Sequence, residues 1–277
     1  MVVHERAYAK LNLILRVGRP RSDGLHPLCS LFASIDLADE LEGGPGDGAV
    51  DSVECQGVEG DNLALRAIAA FRAHTGLPER PVQVRIEKRI PVAAGLGGGS
   101  ADAAAALRIA NRMSGLPLDA AALRELAAEV GADVPSQVEP GHALVQGVGE
   151  RVEPLALPPL VAVLVPSAHG LRTGEVYAEL DRLGGGRERL DPGPLRELAA
   201  SAPDRLGAAL QNDLEPAALS LRPELGETLV RLRAAGALGA ALSGSGPTCF
   251  GLFAGRREAE AAAAGIAGAI VSAVRPS

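Results

Sequence analysis

The chain has 277 residues, a formal net charge of −7, 47% hydrophobic and 22% charged residues, enough to bury a sizeable core as one large domain or two, and its acidic balance excludes a broad nucleic-acid surface. Aromatics make up 2% of the chain while Ala and Gly abound, so small residues fill much of the core. The three cysteines, Cys29, Cys55 and Cys249, are scattered and odd in number, and no disulfide or metal spacing is visible; without a basic-then-apolar leader or a bilayer-length apolar run, a cytoplasmic protein is expected.

The first element is an alternating segment, Ala7 to Val17. Ala9, Leu11, Leu13, Leu15 and Val17 share a core face; Tyr8, Lys10, Asn12 and Ile14 share the other, which by itself reads as a solvated strand face. Arg19 to His26 is turn-rich, with Asp23-Gly24 as a hairpin signal. Asp61 or Asn62 caps a helix that runs to His74 and stops at Gly76. Val82 to Ile90 alternates again, and Lys88 ends its apolar face, reaching either water or a ligand, with water the favoured reading. Asp119 caps a helix through Val130 that Gly131 closes. Strands follow at His142 to Gln146 and Arg151 to Leu155, and the proline-rich 154–159 segment marks a domain boundary, giving domains 1–155 and 156–277. Beyond it lie a buried strand, Leu160 to Val165, a helix, Glu224 to Ala235, strands at Ala237 to Leu242 and Thr248 to Phe253 around the turn SGSGP, a helix at Arg256 to Ile266 and a closing strand, Ala269 to Val274. Strands and helices mix without strict alternation, which predicts an α+β fold.

The most informative stretch is PVAAGLGGGSA, comprising Pro91, Val92, Ala93, Ala94, Gly95, Leu96, Gly97, Gly98, Gly99, Ser100 and Ala101. Four glycines leave backbone N–H groups open to a ligand, and the helix predicted from Asp102 to Met113, with Ser100 at its cap, adds unpaired N–H groups and a positive dipole end. That combination suits a polyphosphate. Ser100 is followed by Ala101, without the lysine of a Walker A loop, and the loop lies too far along the chain for a dinucleotide fingerprint.

Three separated motifs, AKLNL at Lys10, GLGGGSADAA at Gly95 and SGSGPTCFG at Ser243, together resemble the GHMP kinase superfamily. The segments AYAKLNL, DGLH, DNLALRA, GADVP, GVGE, QNDLEP and SGSGPT extend that resemblance over nearly the whole chain, toward the branch whose substrate is a polyol carrying a cytidine diphosphate group. The resemblance implies a GHMP kinase fold: a ribosomal protein S5 domain 2-like N-terminal ATP-binding domain and a ferredoxin-like C-terminal domain. ATP and the substrate would meet in the cleft between them. ATP with Mg²⁺ would phosphorylate a tertiary hydroxyl in the non-mevalonate route to isoprenoids, in a monomer or homodimer with neither nucleic-acid nor membrane partners. The sequence shows no dedicated carboxylate cage for the metal.

By the same resemblance Asp133 is the catalytic base and Lys10 its partner. A tertiary alcohol is a poor nucleophile, a carboxylate in reach takes its proton during attack, and an ammonium holds that carboxylate ionised and offsets charge on the transferring group. Read without the resemblance, Asp133 is a polar turn residue before Pro135. The branch pattern further implies His26 at the cytosine pocket, Asn12 and Thr173 near the substrate, and Tyr177 stacking on the base. Alone, His26 reads as a loop histidine and Tyr177 as a helix aromatic in the core. Leu25 stands where the branch usually has tyrosine. Asn62 and Lys88 match positions near adenine, and 243–246 would cap the cleft or form only a tight turn. Another small-molecule kinase of the superfamily, such as a homoserine or mevalonate kinase, and a non-catalytic nucleotide sensor are the rival readings.

Overall fold

The computed structural model of the chain describes residues 1–57, 62–75, 81–115, 117–167 and 169–276. In chain order the elements are β1 (Val3–Val17), β2 (Leu28–Pro45), β3 (Ser52–Cys55), α1 (Leu63–Thr75), β4 (Val82–Glu87), α2 (Gly98–Ser114), α3 (Ala120–Val130), a single 3₁₀ turn (Pro135–Gln137), β5 (Ala143–Gly147) and β6 (Arg151–Pro154). They continue with β7 (Val161–Val165), α4 (Thr173–Arg182), α5 (Gly193–Ala199), α6 (Pro203–Ala208), β8 (Gln211–Asn212), α7 (Glu215–Leu221), α8 (Glu224–Ala234), β9 (Gly239–Leu242), β10 (Cys249–Phe253), α9 (Arg256–Ala264) and β11 (Ile270–Ala273). The predicted elements are present; β2, β3, α4, α5, α6, β8 and α7 are additions to the delimited elements, most of them too short to carry a periodic signal.

These elements group into two compact units, each drawn from several stretches of the chain. The first comprises 1–9, 37–92 and 97–140. In it β3 runs parallel to β4, and β4 pairs antiparallel with the second half of β2, from Glu40 opposite Glu87 to Pro45 opposite Val82. Val82, Val84 and Ile86 on β4, Ala64, Ala67, Ile68 and Phe71 on α1, and Leu123, Leu126 and Val130 on α3 enclose the alanine-rich helix α2. A run of methyl side chains, Ala103 to Ala106 and Ala110, is fully buried, so close backbone approach replaces the bulk that aromatics would supply. Asn62 begins α1, its Oδ1 accepting from the Ala64 N–H at 2.9 Å. The other capping candidate, Asp61, and the predicted stop, Gly76, lie outside the described residues. Asp119 caps α3 by accepting from the Ala122 N–H, as the sequence predicts.

The second unit comprises 10–36, 93–96 and 141–277. Here the first half of β2 pairs antiparallel with β5, and β5 with β6. A four-stranded antiparallel sheet, ordered β11-β7-β10-β9, packs against α4, α7, α8 and α9 through Val163, Leu180, Ala217, Leu229, Phe253 and Ala259. The face of β1 carrying Lys10, Asn12 and Ile14 is not solvated: these residues are 4%, 3% and 0% exposed, against the reading of a solvated strand face. Alternation predicts which side chains share a face, but only the chain packed over that face decides whether water reaches it.

His142, just before β5, shows how this unit holds its C-terminal strand. Its Nδ1 accepts from the Ser34 N–H at 3.1 Å, and its Nε2 donates to the Arg275 carbonyl at 2.8 Å. Since an amide can only donate, the ring is the neutral Nε2–H tautomer. Burial holds its pKa below the ordinary histidine value, with nearby Arg275 adding to that shift while the hydrogen bond to the Arg275 carbonyl opposes it. A depressed folded-state pKa gives stability that is complete above the unfolded value of about 6.5 and is lost as pH falls through the folded value. Denaturant unfolding between pH 7.5 and 5 is therefore expected to lose stability more steeply in the native chain than in His142→Gln, and equal slopes would refute this account.

Candidate functional site

The three motifs that lie far apart in sequence meet within the second unit. Loop residues 94–96 lie between β1 and the turn joining β9 to β10: the Lys10 N–H donates to the Leu96 carbonyl at 2.9 Å, and the Thr248 N–H to that of Ala94 at 3.3 Å. Ser243 Oγ donates to the Gly95 carbonyl at 2.9 Å, and Lys10 Nζ approaches the same oxygen at 3.5 Å. Gly95 has φ +77°, and a Cβ there would stand 2.6 Å from the Gly246 carbonyl oxygen and closer still to that of Ser243. Glycine is required at that position on both counts. Ala93 also has a positive φ, +54°, an uncommon conformation for a residue with a side chain.

Lys10 is buried, so its ammonium needs partners. Nζ donates to Asn12 Oδ1 at 2.6 Å and lies 4.9 Å from the centroid of the Phe32 ring. Asn12 Nδ2 donates to Ser30 Oγ at 2.9 Å, and Ser30 Oγ donates to the Ile14 carbonyl at 2.7 Å. Because lysine only donates, this relay fixes which end of the Asn12 amide faces it. Gly244, with φ +60°, comes close enough that a Cβ would lie 3.4 Å from Asn12 Oδ1 and 3.5 Å from Lys10 Nζ. Asn212 holds the turn from beneath, with Nδ2 donating to the carbonyls of Leu242 at 2.8 Å and Gly244 at 2.7 Å and Oδ1 accepting from the Leu214 N–H at 2.9 Å. Thr173, the first residue of α4, exchanges a 3.0 Å hydrogen bond with Ser245 in the same turn. The 243–246 segment is thus a tight turn and also a packing partner of the glycine loop.

His26 and Tyr177 also come together. Their ring centroids are 5.0 Å apart at 48°, and His26 Nε2 lies 2.9 Å from Asp181 Oδ1. Tyr177 is partly buried against the core of this unit, so it is a helix aromatic as well as a neighbour of His26. Leu25 beside them is 53% exposed.

The remaining predicted residues lie in the first unit. Helix α2 begins at Gly98, not Asp102, and its N-cap is Gly97 in the left-handed region, φ +71°; Ser100 sits in the first turn rather than at the cap. The left-handed Gly97 lets the chain turn into the helix early, which leaves the N–H groups of Gly98, Gly99 and Ser100 as first-turn donors. A Cβ on Gly99 would meet only Leu63 Cδ1, at 3.7 Å, so this position faces open space. Pro91 and Val92 follow β4, and Ala101, in the first turns of α2, is buried in the core of this unit. Asp133 lies in the turn between α3 and the 3₁₀ turn, its carbonyl accepting from Ser136 Oγ at 2.8 Å.

Lys88 does not reach for water, against the favoured reading. Its Nζ donates to Asp39 Oδ2 at 2.5 Å and to Asp102 Oδ2 at 2.7 Å, and Asp39 Oδ1 accepts from the backbone of Arg89 and Ile90. Burial lowers the lysine pKa, but the two carboxylates outweigh it and the net shift is upward. Burial pushes the Asp102 carboxyl up to about 7, with Asp39 adding to that and Lys88 opposing it. Neither aspartate was singled out from sequence, although a lysine ending an apolar strand face is a reason to look for a buried counter-charge. Asp181 and Ser30 carried no sequence signal, and Asn212 lay inside the quoted QNDLEP motif without a role.

Among the described residues no group of three or more His, Cys, Asp or Glu side chains forms a metal cage, and no helix is long and apolar enough to cross a membrane.

Residues 62–141 match the GHMP kinases N terminal domain and residues 195–270 the GHMP kinases C terminal domain. The 4-diphosphocytidyl-2-C-methyl-D-erythritol kinase of an Anaeromyxobacter species is 46% identical over 276 residues, covering 96% of this chain and 87% of the relative. The kinase of the same name from Salinispora tropica is 42% identical, covering 95% of this chain and 87% of the relative. The crystal structure of a 4-(cytidine 5'-diphospho)-2C-methyl-D-erythritol kinase matches at a TM-score of 0.81 and 37% identity, covering 98% of each chain. A homoserine kinase from Cytophaga hutchinsonii matches at a TM-score of 0.74 and 19% identity, covering 99% of this chain and 95% of that one, a likeness of fold alone.

Replacing Gly95 by Ala puts a methyl group into two carbonyl oxygens and strains a positive φ. A loss of about 3 kcal/mol in denaturant unfolding is expected. Native stability in that variant would show that the contact between loop and turn is adjustable.

Proposed function

The chain belongs to the GHMP kinases, and on that premise we propose that it transfers the terminal phosphoryl group of ATP to the 2-hydroxyl of 4-diphosphocytidyl-2-C-methyl-D-erythritol. The observation that carries this reading is identity of 41–46% to kinases of that name across at least 92% of the chain. Within this reading the domain boundary falls at residue 155, inside the 142–194 stretch between the two family segments.

Phosphoryl transfer asks the protein for positioning and charge neutralisation rather than covalent chemistry. The glycine loop from Pro91 to Ala101 takes the phosphates: the first-turn N–H groups of α2 are donors that need no reorganisation, and Gly99 leaves room for a phosphate to approach the backbone. Asn62 and Lys88 flank the adenine end in this assignment. Lys88 acts there with its charge already shared between Asp39 and Asp102, which makes it an anchor for the first turns of α2 more than a phosphate ligand.

Asp133 takes the proton of the attacking hydroxyl. Lys10 is its partner in this reading and offsets charge on the transferring group, and the relay from Asn12 through Ser30 holds the ammonium in one place. Thr173, tied to the β9–β10 turn through Ser245, and Asn12 border the polyol; His26 and Tyr177 receive the cytidine. A magnesium ion would come with the nucleotide. The Ser100 hydroxyl would be the protein group that meets it, and the ion would supply charge neutralisation at the phosphates.

ATP consumption by the purified protein is expected with the cytidylated polyol and not with the corresponding polyol phosphate lacking cytidine. Turnover with neither would overturn the assignment of substrate. Asp133→Asn is expected to keep ATP affinity within about twofold while turnover falls by about 10³ or more; a fully active variant would remove Asp133 from the mechanism. Gly99→Ala tests the loop without crowding the fold. Alanine at an exposed helical position adds up to about 1 kcal/mol of stability, while its methyl group is expected to raise the dissociation constant for ATP about tenfold, measured by calorimetry. Unchanged affinity would move the phosphates elsewhere.

A further inference from the structure

The pair formed by His26 and Asp181 has a consequence for base selection. The His26 ring is held on two sides, its centroid 5.0 Å from that of Tyr177 and its Nε2 2.9 Å from Asp181 Oδ1. Its side chain is 6% exposed, whereas that of Asp181 is 44% exposed. An ionised carboxylate only accepts hydrogen bonds, so the contact requires the proton on Nε2. In neutral imidazole the other nitrogen, Nδ1, then carries a lone pair. No described residue donates to Nδ1 or accepts from it, so among the described residues that acceptor has no partner.

We infer that Asp181 is a positioning residue that sets the nucleobase preference of the site by locking His26 in the Nε2–H tautomer, leaving Nδ1 to accept from an exocyclic amino group. The inference rests on the reading that His26 receives the base. A cytosine edge presents an amino donor where uracil presents a carbonyl. With Nδ1 an acceptor, the amino group forms a hydrogen bond, and the carbonyl sets two lone pairs against each other with neither able to donate. A site built this way rejects the isostere because its own polar group goes unpaired. With Asp181 removed, the imidazole is free to exchange tautomers, and the Nδ1–H form donates to a carbonyl. The exposed carboxylate thus acts on the ligand only through the ring, and Leu25 beside it supplies no polar discrimination of its own.

Two measurements decide this independently. Long-range ¹H–¹⁵N NMR of the ligand-free protein at pH 8.5 is expected to show His26 predominantly as Nε2–H, and mixed tautomers in Asp181→Leu. A predominant Nδ1–H form in the native chain, or an unaltered tautomer in the variant, overturns the inference whatever the substrate proves to be. In the kinetic arm, the ratio of kcat/KM for the cytidine-diphosphate substrate to that for its uridine counterpart is expected to fall about tenfold or more in Asp181→Leu. The same substitution in a His26→Phe background is expected to change that ratio no further, because Asp181 acts through the ring. A ratio unmoved in Asp181→Leu, or an equal fall in both backgrounds, refutes the positioning role. Turnover of neither substrate by the native chain defeats the substrate reading alone, since the NMR arm still reports the tautomer.

Discussion

The contact between Gly95 and the β9–β10 turn is the constraint on which the candidate site depends. A residue without Cβ, in a backbone conformation that side chains avoid, presses against the carbonyls of Ser243 and Gly246. The Gly95 carbonyl in turn accepts from Ser243 Oγ and lies within reach of Lys10 Nζ. Three segments separated by 85 and 148 residues are thereby brought to one oxygen atom. Loop closure over such distances is costly in entropy, and the close fit is what makes the arrangement single-valued rather than one of several packings.

Two lysines matched by the motifs, Lys10 buried and Lys88 half-buried, are partnered in contrasting ways. Lys10 meets the amide oxygen of Asn12, the carbonyl of Gly95 and the face of Phe32. Lys88 is shared between Asp39 and Asp102, so its charge is spent inside the protein and its role is to fasten α2 to β2. A buried charge is costly unless it is paired and hydrogen-bonded, and the two lysines meet that demand with different partners.

Glycine and alanine do different work in α2. Gly97, left-handed, sets where the helix begins; Gly98 packs closely against Ile90 and Lys88, and Gly99 faces open space. The alanines that follow, Ala103 to Ala106, are fully buried and let the helix lie deep in its unit. One stretch of small residues therefore gives an open first turn at its start and dense packing in its middle, and this explains how a chain with 2% aromatics builds a core.

The strands and helices with clear periodicity, β1, β4, α3, α8 and α9, were legible in the sequence because side-chain alternation and capping are local. The family was legible because AKLNL, GLGGGSA, GADVP and SGSGPT are specific in type and order. The sequence by itself determined the fold class, the family and which residues are candidates for the reaction. Only the tertiary structure decided that the Lys10 face of β1 is dry, that Lys88 is neutralised by Asp39 and Asp102, that α2 starts at Gly98, and that Asp181 stands behind His26. Each of these depends on what a distant stretch of chain brings to within 3 Å or so, and periodicity along a strand or helix carries no record of its partner across space.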